Sequence, residues 1–196
     1  MRLVVATRNE HKLRELGEIL AGVELVALPA RVELPPEVGD SFAANALIKA
    51  RAAHAAEGDA ALADDSGIAA VALGGRPGVR SARYAGESAS DEENLQLLID
   101  ELRGHRDRRV AYVCALAHIG RDGRETMVEG RCEGELIECP RGSRGFGYDP
   151  AFVPRDTGPN DPRTMAELDD AEKHAISHRG RAARELGRLL GTGAAT

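Results

Sequence analysis

The stretch Leu3-Val4-Val5-Ala6-Thr7-Arg8-Asn9-Glu10-His11-Lys12 decides the fold. Leu3 to Ala6 is an unbroken apolar run, the mark of a strand buried on both faces. Thr7-Arg8-Asn9 ends it. From Glu10 the period changes, and Leu13, Leu16, Ile19 and Leu20 predict a helix over residues 10–20. Val23 to Leu28 reads as a second strand. Strand, helix and strand in such quick succession predict an α/β fold. A strand end feeding a helix N-terminus also presents free N–H groups and the positive end of the helix dipole, which suits a phosphate. Thr7 and Asn9 can cap or donate, and Lys12 brings the charge. The same residues also read as a plain helix cap, and the glycines of a Walker loop are missing.

Downstream, residues 29–40 form a loop with Pro29, Pro35, Pro36 and Gly39. Ser41 caps an Ala-rich helix to Glu57, closed by Gly58. Ala60 to Ala63 is a short strand running into Asp64-Asp65-Ser66-Gly67, and Ile68 to Leu73 reads as another. Gly74 to Gly78 is a turn cluster. Ser90-Asp91-Glu92-Glu93 is a capping box that opens a helix to Leu102. Arg109 to Ile119 is β-rich, Arg121 to Arg124 is a hairpin turn, and Glu125 to Cys132 pairs back. Gly134 to Glu138 adds a strand. A helical start at Thr164 to Leu168 precedes a last helix from Ser177 to Leu190. No repeat or linker divides the chain, so residues 1–191 read as one domain and 192–196 as a tail. The order predicts a mixed central β-sheet flanked by helices.

Composition narrows the function. The chain has 196 residues, 42% of them hydrophobic, enough for a core. A net charge of −6 argues against a nucleic-acid polymer as partner, since such binders usually carry a basic face. It leaves a single nucleotide open. No apolar run approaches the roughly 18 residues of a membrane span, and the N-terminal run is too short for a signal peptide. With Cys114, Cys132 and Cys139 at no ligand-like spacing, the expectation is a cytoplasmic protein with free thiols. Of 26 basic residues only Lys12, Lys49 and Lys173 are lysine. Where Arg is the rule, a retained Lys points to a need for a compact ammonium.

Four further segments carry candidate chemistry. Asn45 and Lys49 share one helix face. Asp64-Asp65-Ser66-Gly67, after an apolar strand, suits a hard cation such as Mg²⁺ held by few protein ligands, and equally suits a solvated turn. Gly145-Phe146-Gly147-Tyr148-Asp149-Pro150 holds two of the chain's three Phe and three Tyr, and it has no Trp to add to them. Aromatic rings on a glycine loop can stack on a base, with the acid accepting from a base edge or ribose; two core aromatics in a turn is the plainer reading. Ser177-His178-Arg179, with Lys173 upstream, can read a base edge or neutralise phosphate, or simply cap a helix.

Taken in order, these segments resemble the non-canonical purine nucleoside triphosphate pyrophosphatases, the inosine triphosphatase-like family. Thr7 to Lys12 is similar to its T-x-N-x-x-K, Phe42 to Ala50 to F-x-x-N-A-x-x-K-A, Ala63 to Gly67 to A-D-D-S-G, and Pro77 to Tyr84 to P-G-x-x-S-A-R-Y. The loop 145–150 and Ser177-His178-Arg179 complete the series. The resemblance covers nearly the whole chain, and all three lysines fall within it. It implies a mixed sheet with an active-site cleft between two lobes, a homodimer, and Mg²⁺-dependent hydrolysis of ITP, dITP or XTP to the monophosphate and pyrophosphate. By position it makes Asp65 the proton acceptor and a metal ligand, with Glu37 the second metal ligand. It assigns substrate contacts to Thr7, Arg8, Asn9, Glu10, His11, Lys12, Lys49, Ser66, Phe146, Gly147, Tyr148, Asp149, Lys173, His178 and Arg179. His11, Val71 and Arg80 depart from the family's common Gly, acid and Tyr. A pyrophosphatase for other modified nucleotides, and a nucleotide-binding module without turnover, remain as alternatives.

Overall fold

Residues 1–192 are described by a computed structural model; positions 193–196 of the expected tail lie outside the described residues. The opening segment folds as its periodicity dictates. Arg2–Val5 is strand β1, Glu10–Ile19 is helix α1 and Glu24–Ala27 is strand β2. β1 and β2 are parallel, with Val4 opposite Val26. Helix α2, Phe42–Glu57, has Ser41 as its N-cap, the side chain accepting from Ala44 N, and Gly58 in the left-handed conformation as its C-cap. Strand β3, Ala61–Ala70, lies parallel to β1 on its other side. Helix α3, Asp91–Leu102, opens with the capping box of Ser90 and Glu93. Strands β4, Arg109–Ile119, and β5, Glu125–Leu136, are sheet neighbours joined by the short turn at Gly120 to Arg124. Strand β6, Phe152–Pro154, is antiparallel to β5. Helices α4, Asp170–Ile176, and α5, His178–Leu189, end the chain. The result is one mixed six-stranded sheet, ordered β2-β1-β3-β4-β5-β6.

Three expectations need correction. The strand at Ala61 does not end at Asp64; it runs through Asp64-Asp65-Ser66-Gly67 to Ala70. Turn propensity loses here because both aspartates find cationic partners inside the fold, so their strand positions cost no unpaired charge. Gly134 onward belongs to β5 rather than to a new strand, while the three-residue β6 was not anticipated. Helix α4 was also missed. Its seven residues carry too few apolar positions for a period, and its capping box, Asp169 with Glu172, supplies the missing stability.

The chain divides into two compact units. The first is Met1–Asp65, Cys114–Gly130 and the chain from Arg179; the second is Ser66–Val113 and Arg131–His178. In the first unit, strand alternation sorts the core onto two sheet faces. Leu3, Val5, Leu62 and Leu116 pack with Leu16 of α1 and with Ala182, Ala183 and Leu186 of α5. Val4, Ala6, Ala61, Ala63 and Ala115 pack with Ala46, Ala50 and Ala53 of α2. The second unit has one core, with Leu95, Leu98, Ile99 and Leu102 of α3 against Ile68, Tyr112, Cys132, Leu136 and Phe152. No helix among the described residues is long and apolar enough to cross a membrane.

Candidate active site

The alternation along β3 assigns the two adjacent aspartates to different helices. Asp64 follows Leu62 onto the face covered by α1 and α5, and Asp65 follows Ala63 onto the face covered by α2. Their partners obey this division. Asp64 is buried and takes Lys12 Nζ of α1 on Oδ1 at 2.5 Å. Its Oδ2 accepts from Arg179 Nε of α5 at 2.9 Å and from the Cys114 thiol at 3.1 Å. Arg179 Nη1 continues to Glu15 of α1 at 2.5 Å. Burial alone pushes the Asp64 carboxyl up, but Arg179 and Lys12 outweigh it and hold it well below the usual carboxylate range.

Asp65 meets α2 instead. Lys49 Nζ lies 2.9 Å from its Oδ1, and Asn45 Nδ2 donates to its Oδ2 at 3.3 Å. Lys49 also reaches Glu37 Oε1 of the proline loop at 2.5 Å. Asn45 Oδ1 accepts from Gly39 N at 2.7 Å, which ties that loop to α2. Lys49 is thus a buried ammonium shared by two carboxylates. Burial pushes the Asp65 carboxyl up and the Glu37 charge adds to that, so it lies above its ordinary value despite Lys49. For Glu37, burial is outweighed by the hydrogen bond and charge of Lys49, and its carboxyl lies below the ordinary value. Lys49 is held in its charged form, since its two carboxylates outweigh its own burial.

The donor chemistry at this point fits a magnesium ion. Glu37 and Asp65 offer hard carboxylate oxygens, and Mg²⁺ characteristically takes one or two carboxylates with the rest of its shell from water and substrate phosphates. Among the described residues no group of three or more acidic, His or Cys side chains forms a complete protein cage.

The segment Thr7 to Lys12 forms the entry to α1. Asn9 is its N-cap, accepting from Lys12 N at 3.1 Å, and Thr7 Oγ1 accepts from Asn9 N at 3.1 Å. Glu10 and His11 are exposed in the first turn. The Arg8 guanidinium donates to the carbonyls of Leu28, Pro29 and Val32, so it pins the loop that follows β2.

In the second unit, Asp149 is the hub. It is buried and accepts from Lys173 Nζ at 2.7 Å, Tyr112 Oη at 3.0 Å and Phe146 N at 3.0 Å. Gly145 has φ +73° and a Cβ there would strike the Asp149 carboxylate, so only glycine serves. Lys173 Nζ stands 5.1 Å over the half-buried Phe146 ring. The His178 imidazole stacks on Tyr112, with centroids 4.6 Å apart. Tyr148 is buried, its hydroxyl donating to Ser81 O at 2.7 Å, and Gly147 N donates to Asp91 at 2.8 Å. Ser66 lies half-buried in β3 at the start of this unit.

The structure therefore joins Lys12 with Arg179, Lys49 with Glu37 and Asp65, and Lys173 with Phe146 and Asp149. Sequence reasoning missed Glu15 and Tyr112. Glu15 had a signal, an acid between Leu13 and Leu16 on the apolar side of α1; Tyr112 had none beyond being aromatic in a buried strand.

The profile of the Ham1 family matches residues 3–189. A dITP/XTP pyrophosphatase of Frankia alni is 49% identical over 201 residues, covering 97% of each chain. One from Mycobacteroides abscessus is 47% identical over 191 residues, covering 93% of this chain and 91% of its own. A HAM1 protein from Coxiella burnetii superposes with a TM-score of 0.87 at 39% identity, covering 97% of this chain and 98% of its own. The Ham1 protein of Staphylococcus aureus does so at 0.85 and 35%, with the same coverage. With the profile matched across nearly its whole length and relatives close to half identical, the chain belongs to the Ham1 family.

Proposed function

We propose that this chain, with residues 1–191 as its catalytic domain, hydrolyses ITP, dITP and XTP to the monophosphate and pyrophosphate. The observation that carries the reading is Asp65. It is a buried carboxyl raised above its ordinary value, oriented by Lys49 and Asn45 and standing one residue from the Lys12–Asp64 pair. Relatives close to half identical that are named for dITP and XTP support the substrate class.

In this reading Asp65 accepts the proton of a water as its oxygen bonds to the α-phosphorus. The bond from that phosphorus to the α–β bridging oxygen breaks, and its electron pair leaves with pyrophosphate. A raised carboxyl pKa strengthens the base while leaving it ionised near neutrality. Lys12 and Lys49 offset the triphosphate charge, with the backbone N–H groups of Glu10 and His11 at the α1 N-terminus and the Thr7 hydroxyl donating around it. Glu37 and Asp65 would hold Mg²⁺, whose charge would stabilise the triphosphate and its leaving group.

In this reading Phe146 and Lys173 carry base recognition. Phe146 offers an aromatic face, and the Lys173 ammonium, held between that ring and Asp149, is the donor for an acceptor on the base. Hypoxanthine and xanthine carry an acceptor at position 6, where adenine carries a donor. A site built on a donor there rejects the wrong partner by roughly 10⁴-fold. His178 and Ser66 complete the nucleotide contacts in this reading, and Tyr148 acts through the Ser81 carbonyl that it holds. Arg179 acts through Asp64, and Arg8 through the loop it holds. A cytoplasmic homodimer goes with the family resemblance, and light scattering of the purified protein checks the dimer.

The test is a panel of nucleoside triphosphates with Mg²⁺, scored for monophosphate and pyrophosphate. ITP, dITP and XTP should turn over far faster than ATP, GTP or CTP. Equal turnover of ATP and ITP, or release of single orthophosphates, would sink the reading.

A further inference from the structure

The closed ring of charges behind Lys12 is more than a single anchor. Helix α1 carries Lys12 and, three residues on, Glu15, on neighbouring positions of one face. Lys12 is bound to Asp64 of β3, Glu15 is bound to Arg179 of α5, and Arg179 closes the ring onto Asp64. Both Asp64 oxygens are engaged, Oδ1 by Lys12 and Oδ2 by Arg179 and Cys114. The four members differ in exposure: the side chains of Asp64, Arg179 and Glu15 are at most 6% exposed, and Lys12 is 16% exposed.

We propose that Glu15 is a positioning residue for the reaction: by taking one side of Arg179 it leaves Asp64 Oδ1 to Lys12, and so fixes the ammonium that receives the triphosphate. The proposal rests on the phosphate role of Lys12 given above. Replacing Glu15 by Gln keeps the size and a hydrogen-bond acceptor but removes the charge. Arg179 then has one anion fewer and leans more heavily on Asp64, the carboxylate it shares with Lys12. Arg179 is enclosed and cannot reach water, whereas Lys12 can, so Lys12 is the member that swings away. Its loss of aim weakens substrate binding in ground and transition states alike, which appears in KM rather than kcat.

The experiment is a double-mutant cycle with Glu15→Gln and Lys12→Ala, measured as steady-state ITP hydrolysis. Glu15→Gln alone should raise KM roughly tenfold, about the effect of 1.4 kcal/mol, with kcat within roughly twofold. In the Lys12→Ala background the same change should add less than about twofold, because the residue it positions is gone. Glu15→Asp, which keeps the charge, should recover most of the KM and serves as the second arm of the cycle if the Gln protein does not fold. Losses that multiply in the double variant, or a Glu15→Gln protein with unchanged KM, overturn the proposal. An unmodified protein inactive on ITP overturns the reading of the site, and the proposal with it.

Discussion

Asp64 and Asp65 are neighbours in sequence with opposite tasks, because a strand sends successive side chains to opposite faces. Asp64 stands in a ring of satisfied charges, while Asp65 has a raised carboxyl beside Lys49 and Glu37. Asp65→Asn should therefore lower single-turnover ITP cleavage by the ~10²–10⁴ typical of losing a general base, with ITP still bound. Asp64→Asn should act mainly on binding, through Lys12. A dead Asp64→Asn protein beside a near-normal Asp65→Asn protein would reverse the assignment. The pH profile gives a second check. Activity should fall as pH drops through the Asp65 pKa, which lies above the ordinary carboxylate value because burial and Glu37 raise it. Glu37→Gln removes one raising charge and leaves Lys49 wholly to Asp65, so the acid limb of the residual activity should move to lower pH. An unmoved limb would show that another group titrates. At this scale the lysines were legible because they are rare in a chain that prefers Arg, and each lies in a charged cluster. The internal partners of Arg8, Tyr148 and Arg179 were not legible. Whether a guanidinium or phenol in a motif faces a ligand or the fold depends on how helices dock on strands, and local sequence does not carry that.

Elements with a self-contained signal were the ones read correctly. Helix α2 has its cap at Ser41 and its stop at Gly58, and α3 its capping box, so their bounds follow from local chemistry. Strand β3 failed as a reading because its continuity is decided elsewhere. Gly67 looked like part of a turn, yet it sits in mid-strand where the segment after Pro77 crosses it. The Ser81 hydroxyl accepts from Ile68 N at 2.9 Å and donates to Gly78 O at 2.6 Å. A Cβ at Gly67 would collide with that hydroxyl and with Gly78 O. The glycine is required by close approach rather than by a positive φ. Gly67→Ala should then cost about 1–3 kcal/mol, the usual range for overpacking. That corresponds to a fall in Tm of roughly 2–4 °C per kcal/mol for a chain of this length. Pairing it with Ser81→Gly should restore part of the loss in calorimetry. An Ala protein that melts with the parent would show that the crossing segment yields freely.

Across the molecule, the stability of the sheet and the needs of catalysis draw on the same strand, and the two aspartates should separate them. The carboxyl of Asp64 is lowered on folding, so its contribution is present above the unfolded pKa and is lost only as pH falls through the folded value, well below the usual carboxylate range. The carboxyl of Asp65 is raised, so folding favours its protonated form; that contribution is present below the unfolded pKa and is lost as pH rises through the folded value. At pH 7 Asp64 therefore supports the fold and Asp65 is ionised against it. Asp64→Asn takes one anion from both Lys12 and Arg179, and breaking a buried ion network of this kind costs about 3–5 kcal/mol. At roughly 2–4 °C per kcal/mol, its Tm should fall by roughly 6–20 °C, and much of that fall should persist at pH 4, where Asp64 is still ionised. Asp65→Asn keeps the shape, and Lys49 keeps Glu37. Its Tm at pH 7 should equal or exceed that of the parent, as is common when a strained active-site group is removed. The difference should close toward acid, where the parent's Asp65 is itself neutral. Calorimetric melts of the three proteins at pH 7 and pH 4 decide it. Equal destabilisation by both substitutions at pH 7 would mean that Asp65 is one more structural carboxylate, and would remove the physical ground for making it the proton acceptor.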